Sequence, residues 1–303
     1  FRIADDVVDD PNPPPPDIQR TTLDRIRREA LGTQETDDPV LSAFRDIRER
    51  YAIPDHEVNR FIAAMEQDVS AGRYETYEDL EEYLRGSSVA VAYMMVSVMG
   101  TEDAERARPH AKALGEAFQL TNFLRDVRED VIEYGRIYLP RSTLERHDVT
   151  DEQIERLEFT DEFAAAMRTE LERTEALYHR GVDGIAFLPE DSQFAVLLAA
   201  VLYADHHRLI REQGYDVLSN RPTLSLVRRI ELLARTWWHW RLTGDPRLTF
   251  ETVSTLESHG DDCGSDHETG DRHHIGGNKR QWTFSAKRFV AVIRSWIPLR
   301  ASK

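Results

Sequence analysis

The sequence predicts an all-α protein in which a single bundle of helices surrounds a central cavity. Apolar residues recur with helical spacing along most of the chain, and no segment shows the alternation of a half-buried strand. Capping and helix-breaking residues separate these segments. We assign the bundle to residues 1–250 and a tail of different composition to residues 251–303.

The first helices are marked by prolines and by a capping residue. Residues 1–10 have the pattern of the end of a helix, which the proline run at 11–16 terminates. A further helix is predicted over residues 55–71, with Asp55 as its N-cap directly after Pro54.

The middle and the end of the bundle contain longer helices. Thr76 and Asp79 have the spacing of a capping box. A long helix is predicted over residues 102–134, with Gly135 as its C-terminal stop and Pro109 as a point where it could kink or divide. Three more helices are predicted over residues 161–183, 191–213 and 223–242.

The charge composition argues against nucleic acid as a partner. The chain has 55 acidic and 39 basic residues and a formal net charge of −16, whereas phosphate backbones require a basic surface. Only four of the basic residues are lysines. An acidic, lysine-poor surface favours a halophilic protein, because charges are screened within ~3 Å at 1 M salt. A GC-rich genome would produce the same preference for arginine.

The cysteine count and the apolar runs bear on location. Cys263 is the only cysteine, so no intrachain disulfide can form and a reducing, cytoplasmic location is expected. The best apolar runs, 89–100 and 195–204, are shorter than the ~20 residues that a spanning helix needs. No signal peptide is recognisable, and we expect no transmembrane helix.

The tail differs in composition from the body. Residues 258–278 are rich in Gly, Asp and His and lack an apolar period, which predicts disorder. Residues 282–298 are more apolar, and a native extension and a frameshifted gene explain them equally well. Four tail residues fit either a metal-binding group or exposed side chains, namely Cys263, His267, His273 and His274.

Two groups of aspartates stand out by their spacing. Asp5 and Asp9 are four residues apart, so they point the same way on a helix, and Arg2 lies one turn earlier. The second group also forms a single polar stripe, since its members are separated by three, four and four residues. These members are Gln119, Asn122, Asp126 and Asp130.

The second stripe lies on an apolar helix, which argues against a merely solvated face. Buried carboxylates need a compensating cation, and hard oxygen ligands suit Mg²⁺ together with substrate phosphates. Two such stripes facing each other would form a cage for a diphosphate bridged by magnesium. The apolar residues that surround the stripe are Phe118, Leu120, Phe123, Leu124, Val127 and Val131.

The second stripe is part of a longer pattern that resembles a known signature. Every fixed position of the second signature of the squalene/phytoene synthase family is present. Residues 2–9, Arg-Ile-Ala-Asp-Asp-Val-Val-Asp, resemble the first aspartate motif of that family. Weaker likenesses at 74–83 and 188–203 extend the resemblance to about residues 1–245. The matching positions of the second signature are Leu114-Gly115, Gln119, Asn122-Phe123, Arg125-Asp126-Val127, Asp130 and Arg136-Ile137-Tyr138-Leu139-Pro140.

Two departures from the family pattern bear on the expected site. Residues 83–90 read Tyr-Leu-Arg-Gly-Ser-Ser-Val-Ala where the family usually has a Tyr-Cys-x-x-Val-Ala-Gly-like helix. Small residues remain there, so close helix packing is expected, but the substrate tunnel at this helix is not defined. The resemblance also implies a first helix, with diphosphate contacts of its own, before Phe1.

The resemblance implies the isoprenoid synthase type of fold and a head-to-head condensation. Two geranylgeranyl diphosphates would give phytoene through a cyclopropyl diphosphate, with release of diphosphate, in carotenoid biosynthesis. Squalene or dehydrosqualene synthesis from farnesyl diphosphate is the alternative within the family. A non-catalytic assembly or scaffold relative is the alternative of another class, although such a protein is expected to lose metal-binding aspartates.

The resemblance also implies roles for individual residues. The catalytic residues would be the four aspartates of the two stripes, Asp5, Asp9, Asp126 and Asp130. These carboxylates would repel one another, so we predict that neutralising one of them leaves the stability of the protein unchanged or slightly raised. Contact with a membrane surface would serve product release. The ligands of Mg²⁺ or Mn²⁺ would be Asp5, Asp9, Asn122, Asp126 and Asp130. The substrate would be bound by Arg2, Gln119, Asn122, Arg125, Tyr203 and Arg221.

Overall fold

A computed structural model describes residues 1–10, 12–70, 72–101 and 103–256, and within these ranges every regular element is helical. The first helices are α1 (Arg2–Val8), α2 (Pro16–Ala30), α3 (Pro39–Arg50), α4 (Asp55–Asp68), α5 (Tyr77–Leu84), a π-helical turn (Arg85–Val89) and α6 (Ala90–Met99). The centre contains α7 (Ala104–Arg125), α8 (Val127–Tyr134), α9 (Arg141–Arg146) and α10 (Asp151–Glu155). The last are α11 (Asp161–Val182), a 3₁₀ turn (Asp183–Phe187), α12 (Glu190–Glu212), α13 (Leu226–Thr243) and α14 (Pro246–Val253).

The predicted all-α class is confirmed, and most of the predicted helices end within a few residues of the observed ones. The capping box at Thr76 and Asp79 is present, with both of its hydrogen bonds. One cap was wrong: Pro54 is the N-cap of α4, and Asp55 is its first helical residue, paired with Arg48. The helices α2, α3, α6, α9, α10 and α14 were not predicted from the sequence.

The predicted long helix divides, and it does so at Asp126 rather than at Pro109. Asp126 has φ −105° and ψ 13°, so it ends α7 and caps α8. The hydrogen bonds continue across the break, because the Asp126 amide donates to the Asn122 carbonyl and the Asp130 amide to the Asp126 carbonyl, both at 2.9 Å. The polar stripe therefore survives on two helices. Gly135 ends α8 in the left-handed conformation, as predicted.

The helix α7 lies at the centre of the bundle and packs along α11, α12, α6 and the π-helical turn. The apolar residues that flank the polar stripe are buried, apart from the partly buried Val131. At the departure from the family pattern, the expected close packing is observed. A Cβ on Gly86 would lie 2.6 Å from the Arg60 carbonyl oxygen of α4, so a larger residue would push α4 away.

The described structure continues past the predicted boundary at residue 250. Phe250 and Val253 of α14 are fully buried against the bundle, and Leu256 packs on the same core. The predictions of disorder at 258–278 and of a Cys–His metal group in the tail concern residues 257–303, which lie outside the described ranges. Among the helices that are described, none is long and apolar enough to cross a bilayer.

Candidate active site

The first aspartate motif lies on α1 beside a third carboxylate from α4. Asp5 is half-buried, and its burial raises its pKa to about 7, with Asp9 and Asp68 adding like charge. Arg2 points away from these carboxylates. Its side chain is 79% exposed and lies 3.7 Å from Asp6. The structure therefore groups Asp5 and Asp9 with Asp68, and it leaves Arg2 in solvent.

Arg136 connects the two aspartate motifs. Its Nη1 donates to Asp9 Oδ1 at 3.1 Å, and its Nη2 donates to the carbonyl oxygens of Val8 and Asp68 at 3.1 and 3.2 Å. Its own amide donates to the Asp130 carbonyl at 3.0 Å. A single buried guanidinium therefore ties the ends of α1 and α4 to the segment that follows α8. This contact gives a structural reason for the arginine in the second signature.

Asp68 belongs to the site but was not singled out from the sequence. It is only 8% exposed, and its Oδ2 accepts a hydrogen bond from the Tyr83 hydroxyl at 2.7 Å. Its Oδ1 is buried and accepts no hydrogen bond within the described part of the chain. Burial raises the pKa of Asp68 to about 7, although Arg136 opposes the shift. The sequence feature that could have pointed to Asp68 was its position on the apolar face of α4, three residues after Met65.

Aromatic rings close this side of the site. The rings of Phe123 and Tyr138 stack with centroids 3.7 Å apart, and Tyr83 lies 5.8 Å from Tyr138. Tyr74 packs on both tyrosines. Burial raises the pKa values of Tyr83 and Tyr138 well above the ordinary value, so both hydroxyls stay protonated at neutral pH. The wall is therefore apolar but carries hydroxyl donors.

The second motif brings together three of the predicted residues. Arg125 binds Asp126 through Nε and Nη2 at 2.7 and 2.6 Å. Arg221, from the segment before α13, lies 2.9 Å from the same carboxylate and also pairs with Glu129. Two of the three arginines predicted to bind substrate, Arg125 and Arg221, are thus at Asp126. Glu129 was not predicted, although its place in the acidic run after Asp126 was a signal for it.

Of the remaining predicted residues, Gln119 and Asn122 lie on α7, Asp130 on α8 and Tyr203 on α12. The Asn122 side chain forms a hydrogen bond with Tyr203, and burial raises the pKa of Tyr203 to about 12. The Asn122 Oδ1 is buried and has no hydrogen-bond partner among the described residues. The Tyr203 ring lies 4.8 Å from Phe118. Gln119 is half-buried on the neighbouring turn.

The oxygen donors of the site suit a hard divalent cation, although they do not converge on one point. Among the described residues, no three His, Cys, Asp or Glu side chains are close enough together to hold an ion. Asp9 and Asp126 pair with arginines instead. Two buried oxygens, Asn122 Oδ1 and Asp68 Oδ1, accept no hydrogen bond in the described structure. A carboxylate-rich set with such free acceptors fits Mg²⁺ or Mn²⁺ by donor chemistry.

An apolar cavity leads away from these polar groups. It lies between α6, α7, α12 and the end of α11, and it encloses about 570 Å³, counting the part that is open to solvent. Phe118 and Ala199 line it, each about one turn from a polar residue of the site, Asn122 on α7 and Tyr203 on α12. Asn122 and Tyr203 therefore lie about one turn beyond the lining of the cavity on these two helices.

A buried polar network lies behind the stripe and was not predicted. His207 Nδ1 donates to Glu175 at 3.0 Å, and its Nε2 lies 3.0 Å from the Thr121 hydroxyl, which itself donates to the Ala117 carbonyl at 2.7 Å. Arg211 donates to both oxygens of Glu175 at 2.7 and 2.8 Å. Burial lowers the pKa of His207, whereas His207 and Arg211 hold the pKa of Glu175 at about 2 despite its burial. The network ties α11 and α12 to α7.

The fold is that of all-α enzymes of the isoprenoid synthase type. A dehydrosqualene synthase solved with a ligand aligns with a TM-score of 0.71 and 27% identity, covering 80% of this chain and 83% of that one. A squalene synthase from Alicyclobacillus acidocaldarius aligns with a TM-score of 0.64 and 26% identity, covering 71% and 80%. The predicted fold type is confirmed.

Sequence comparison gives the family. The squalene/phytoene synthase family model matches residues 1–228, and the chain belongs to this family. A phytoene synthase from the chloroplast of Zea mays is 30% identical over 243 residues, which are 78% of this chain and 56% of the relative. The 15-cis-phytoene synthase of Synechococcus elongatus is 29% identical, with 76% and 78% covered. The chain thus spans little more than half of the maize relative.

Proposed function

We propose that the protein condenses two geranylgeranyl diphosphates head to head to phytoene, in carotenoid biosynthesis. The observation that carries the proposal is that Arg125 and Arg221 meet Asp126 at the C-terminal end of α7, whose preceding turns line an apolar cavity. Charged side chains there suit a diphosphate, and the cavity suits a prenyl chain. The similarity to phytoene synthases of maize and Synechococcus elongatus supports this product.

The polar residues would divide the work of binding. Mg²⁺ or Mn²⁺ held by the predicted ligands Asp5, Asp9, Asn122, Asp126 and Asp130 would neutralise charge on the leaving diphosphate. Arg125 and Arg221 would exchange part of their pairing with Asp126 for charge-assisted hydrogen bonds to phosphate oxygens. The Tyr203 hydroxyl lies next to Asn122 and would add a further donor. Arg2 and Gln119 remain in the proposal on sequence grounds alone.

The reaction would proceed in two ionisations. The first breaks the C1–O bond of one substrate, and the double bond of the second substrate attacks C1. Loss of a proton closes a cyclopropane ring and leaves one diphosphate on the product. The second ionisation releases that diphosphate, the ring rearranges, and loss of a second proton gives phytoene. The apolar walls would keep water from the carbocations, which it would otherwise convert to alcohols.

Squalene or dehydrosqualene synthesis from farnesyl diphosphate is the second candidate. The alignments with solved dehydrosqualene and squalene synthases favour it, at 27% and 26% identity. The two candidates share the first condensation and differ in prenyl length and, for squalene, in a hydride that a nicotinamide would donate.

Substrate identification separates these candidates. The protein is incubated with Mg²⁺ and either geranylgeranyl or farnesyl diphosphate, and the extracted hydrocarbon is identified by mass spectrometry. We expect a C40 product from the C20 substrate and little or no C30 product. A C30 product alone would establish the second candidate. No hydrocarbon from either substrate would contradict both.

Metal removal provides a separate prediction. Excess EDTA should abolish turnover, and added Mg²⁺ or Mn²⁺ should restore it, because the carboxylates and two diphosphates carry too much negative charge to share a cavity without cations. Turnover is measured as diphosphate release, with Ca²⁺ addition as a control for nonspecific charge screening. Full activity in EDTA would contradict the metal requirement while leaving the condensation itself standing.

A cytoplasmic location, with contact at a membrane surface for product release, is part of the same proposal. Phytoene is a hydrocarbon and needs an apolar destination after it leaves the cavity.

A further inference from the structure

The outer side of α13 is apolar, although it faces solvent. Four of its residues are separated by four, three and four positions, so they form one row along the helix, which we call the apolar row: Leu226, Ile230, Leu233 and Trp237. Their exposed fractions are 71%, 58%, 41% and 51%. Together with Val227, Trp238 and Leu242, they make up half of the large hydrophobic side chains that are exposed in the described part of the chain. A contiguous apolar surface of this kind is typical of a site that contacts a partner.

The opposite side of α13 attaches the helix to the bundle. Leu232 and Thr236 are fully buried, and Trp240 packs on the main core. Arg228, at the start of the helix, pairs with Asp205 of α12 at 2.7 Å. The apolar row is therefore not needed to hold α13 in place, and substitutions in it should leave the fold intact.

Basic residues flank the apolar side of α13. The helix contains four arginines and one acidic residue, Glu231, in a chain whose net charge is −16. Arg229 and Arg241 are exposed and have no acidic partner among the described residues. Arg235 lies 3.7 Å from Glu231. The helix itself therefore carries a net positive charge on an acidic molecule, which suits an anionic partner.

These charges discriminate between the partners that suit an apolar surface. In a second copy of the chain, the same arginines would meet one another with only Glu231 to offset them. The apolar tail segment 282–298 contains Lys287, Arg288 and Arg294 and no acidic residue, so it would also bring like charge. An anionic lipid surface instead offers negative headgroups next to an apolar interior. Trp, Leu and Arg side chains on one helix are typical of such an interface.

We propose that α13 docks the protein on an anionic membrane surface, with the apolar row in the headgroup region and Arg229 and Arg241 at lipid phosphates. The helix lies in the plane of the membrane, because five of its eighteen residues are charged. This inference rests on the proposed function and deepens it, because it names the surface that makes the membrane contact for product release. α13 packs on α12, whose residues Val196 and Ala199 line the apolar cavity.

Vesicle flotation tests the role of the apolar side. The full chain is mixed with vesicles of phosphatidylcholine, alone or with about 30% phosphatidylglycerol, and bound protein is measured against lipid concentration. The wild type should bind the anionic vesicles at least about tenfold more tightly than the neutral ones, and added salt should weaken this binding. Trp237→Gln/Trp238→Gln should weaken it at least about tenfold. The matched control Ile18→Gln/Val40→Gln, which removes two exposed apolar side chains from α2 and α3, should leave binding unchanged.

A second pair of substitutions tests the charges. Each basic residue near an anionic surface strengthens binding roughly fivefold, so Arg229→Gln/Arg241→Gln should bind anionic vesicles roughly 25-fold more weakly. Its binding to neutral vesicles should equal that of the wild type. Arg20→Gln/Arg50→Gln is the matched control on α2 and α3, since both side chains are exposed, and it should bind as the wild type does. Circular dichroism establishes that each variant is folded under the assay conditions.

Three results would overturn the proposal. The first is a wild type that does not bind anionic vesicles, and formation of a C40 hydrocarbon by the same preparation would show that the proposed function still stands. The second is binding that ignores the α13 substitutions, and its loss in Phe289→Asp/Ile293→Asp would assign it to the tail. The third is a dimer in sedimentation equilibrium without lipid that Trp237→Gln/Trp238→Gln dissociates, because the apolar row would then contact a second copy. Vesicle binding through α13 without any hydrocarbon product would contradict the proposed function alone.

Discussion

At the scale of single residues, the aspartates of the two motifs have opposite surroundings. Asp5 lies near two other carboxylates, whereas Asp126 lies between two guanidinium groups. The expectation that neutralising any of these aspartates leaves stability unchanged or raised suits the surroundings of Asp5. It does not suit Asp126, whose loss leaves Arg125 and Arg221 without their shared partner.

We therefore predict that Asp126→Asn lowers both activity and stability. The free energy of unfolding should fall by roughly 1–3 kcal/mol, less than for a fully buried pair because Arg221 is partly exposed. Urea denaturation gives the stability, and diphosphate release gives the activity. Asp6→Asn is the control, since that exposed side chain should change stability by less than about 0.5 kcal/mol. An unchanged urea midpoint for Asp126→Asn would show that the two ion pairs contribute nothing.

At the scale of elements, the contact between α7, α11 and α12 depends on a buried network that titrates. The folded-state pKa of His207 lies below its ordinary value, so the unfolded chain binds a proton more readily. The contribution of His207 to the free energy of unfolding is present above about pH 6.5 and is lost as the pH falls below that value. Glu175, with a pKa of about 2, contributes above about pH 4.5 and loses its contribution between there and pH 2. Acid weakens both.

The corresponding prediction compares the wild type with His207→Gln, whose amide can also bridge Glu175 and Thr121. Below pH 6.5 the wild type should lose stability relative to the variant, by up to about 1.4 kcal/mol per pH unit. Urea unfolding is measured at pH 8, 6.5, 5.5 and 5. Taking the difference between the two proteins cancels the pH-dependent contributions of Asp5 and Asp68. Their raised pKa values change stability with pH in the opposite direction. Parallel pH curves for the two proteins would mean that His207 does not titrate with folding.

At the scale of the whole molecule, the extent of the folded unit depends on α14. Its residues Phe250 and Val253 are fully buried, although the sequence pattern places the boundary at residue 250. The assignment of the remaining tail as a separate segment stays a prediction.

Two truncations test this boundary. A chain that ends at Leu256 should keep the thermal midpoint and the cooperativity of the full chain. A chain that ends at Gly244 lacks α14. Its free energy of unfolding should be lower by at least about 3–5 kcal/mol, the typical cost of deleting a large buried side chain. Circular dichroism during heating measures both. Loss of cooperative unfolding in the chain that ends at Leu256 would place residues beyond 256 in the core.

Local patterns in the sequence were sufficient for the fold class, for most helices and for the family. Helical period, capping spacing and the stripe from Gln119 to Asp130 depend on neighbours within a few residues, so they can be read without coordinates. The same holds for the signature that resembles squalene/phytoene synthases, which the family match over residues 1–228 confirms. The pairing of Asp5 with Asp9 is equally local.

Tertiary structure alone decided which groups meet. Arg136 reaches Asp9 across 127 residues and Arg221 reaches Asp126 across 95, and no local pattern encodes such contacts. Asp68 and His207 entered their networks in the same way, through helices packed from distant parts of the chain. The spacing of residues along a helix is determined by its backbone hydrogen bonds, whereas the position of one helix against another is determined by the packing of the entire core.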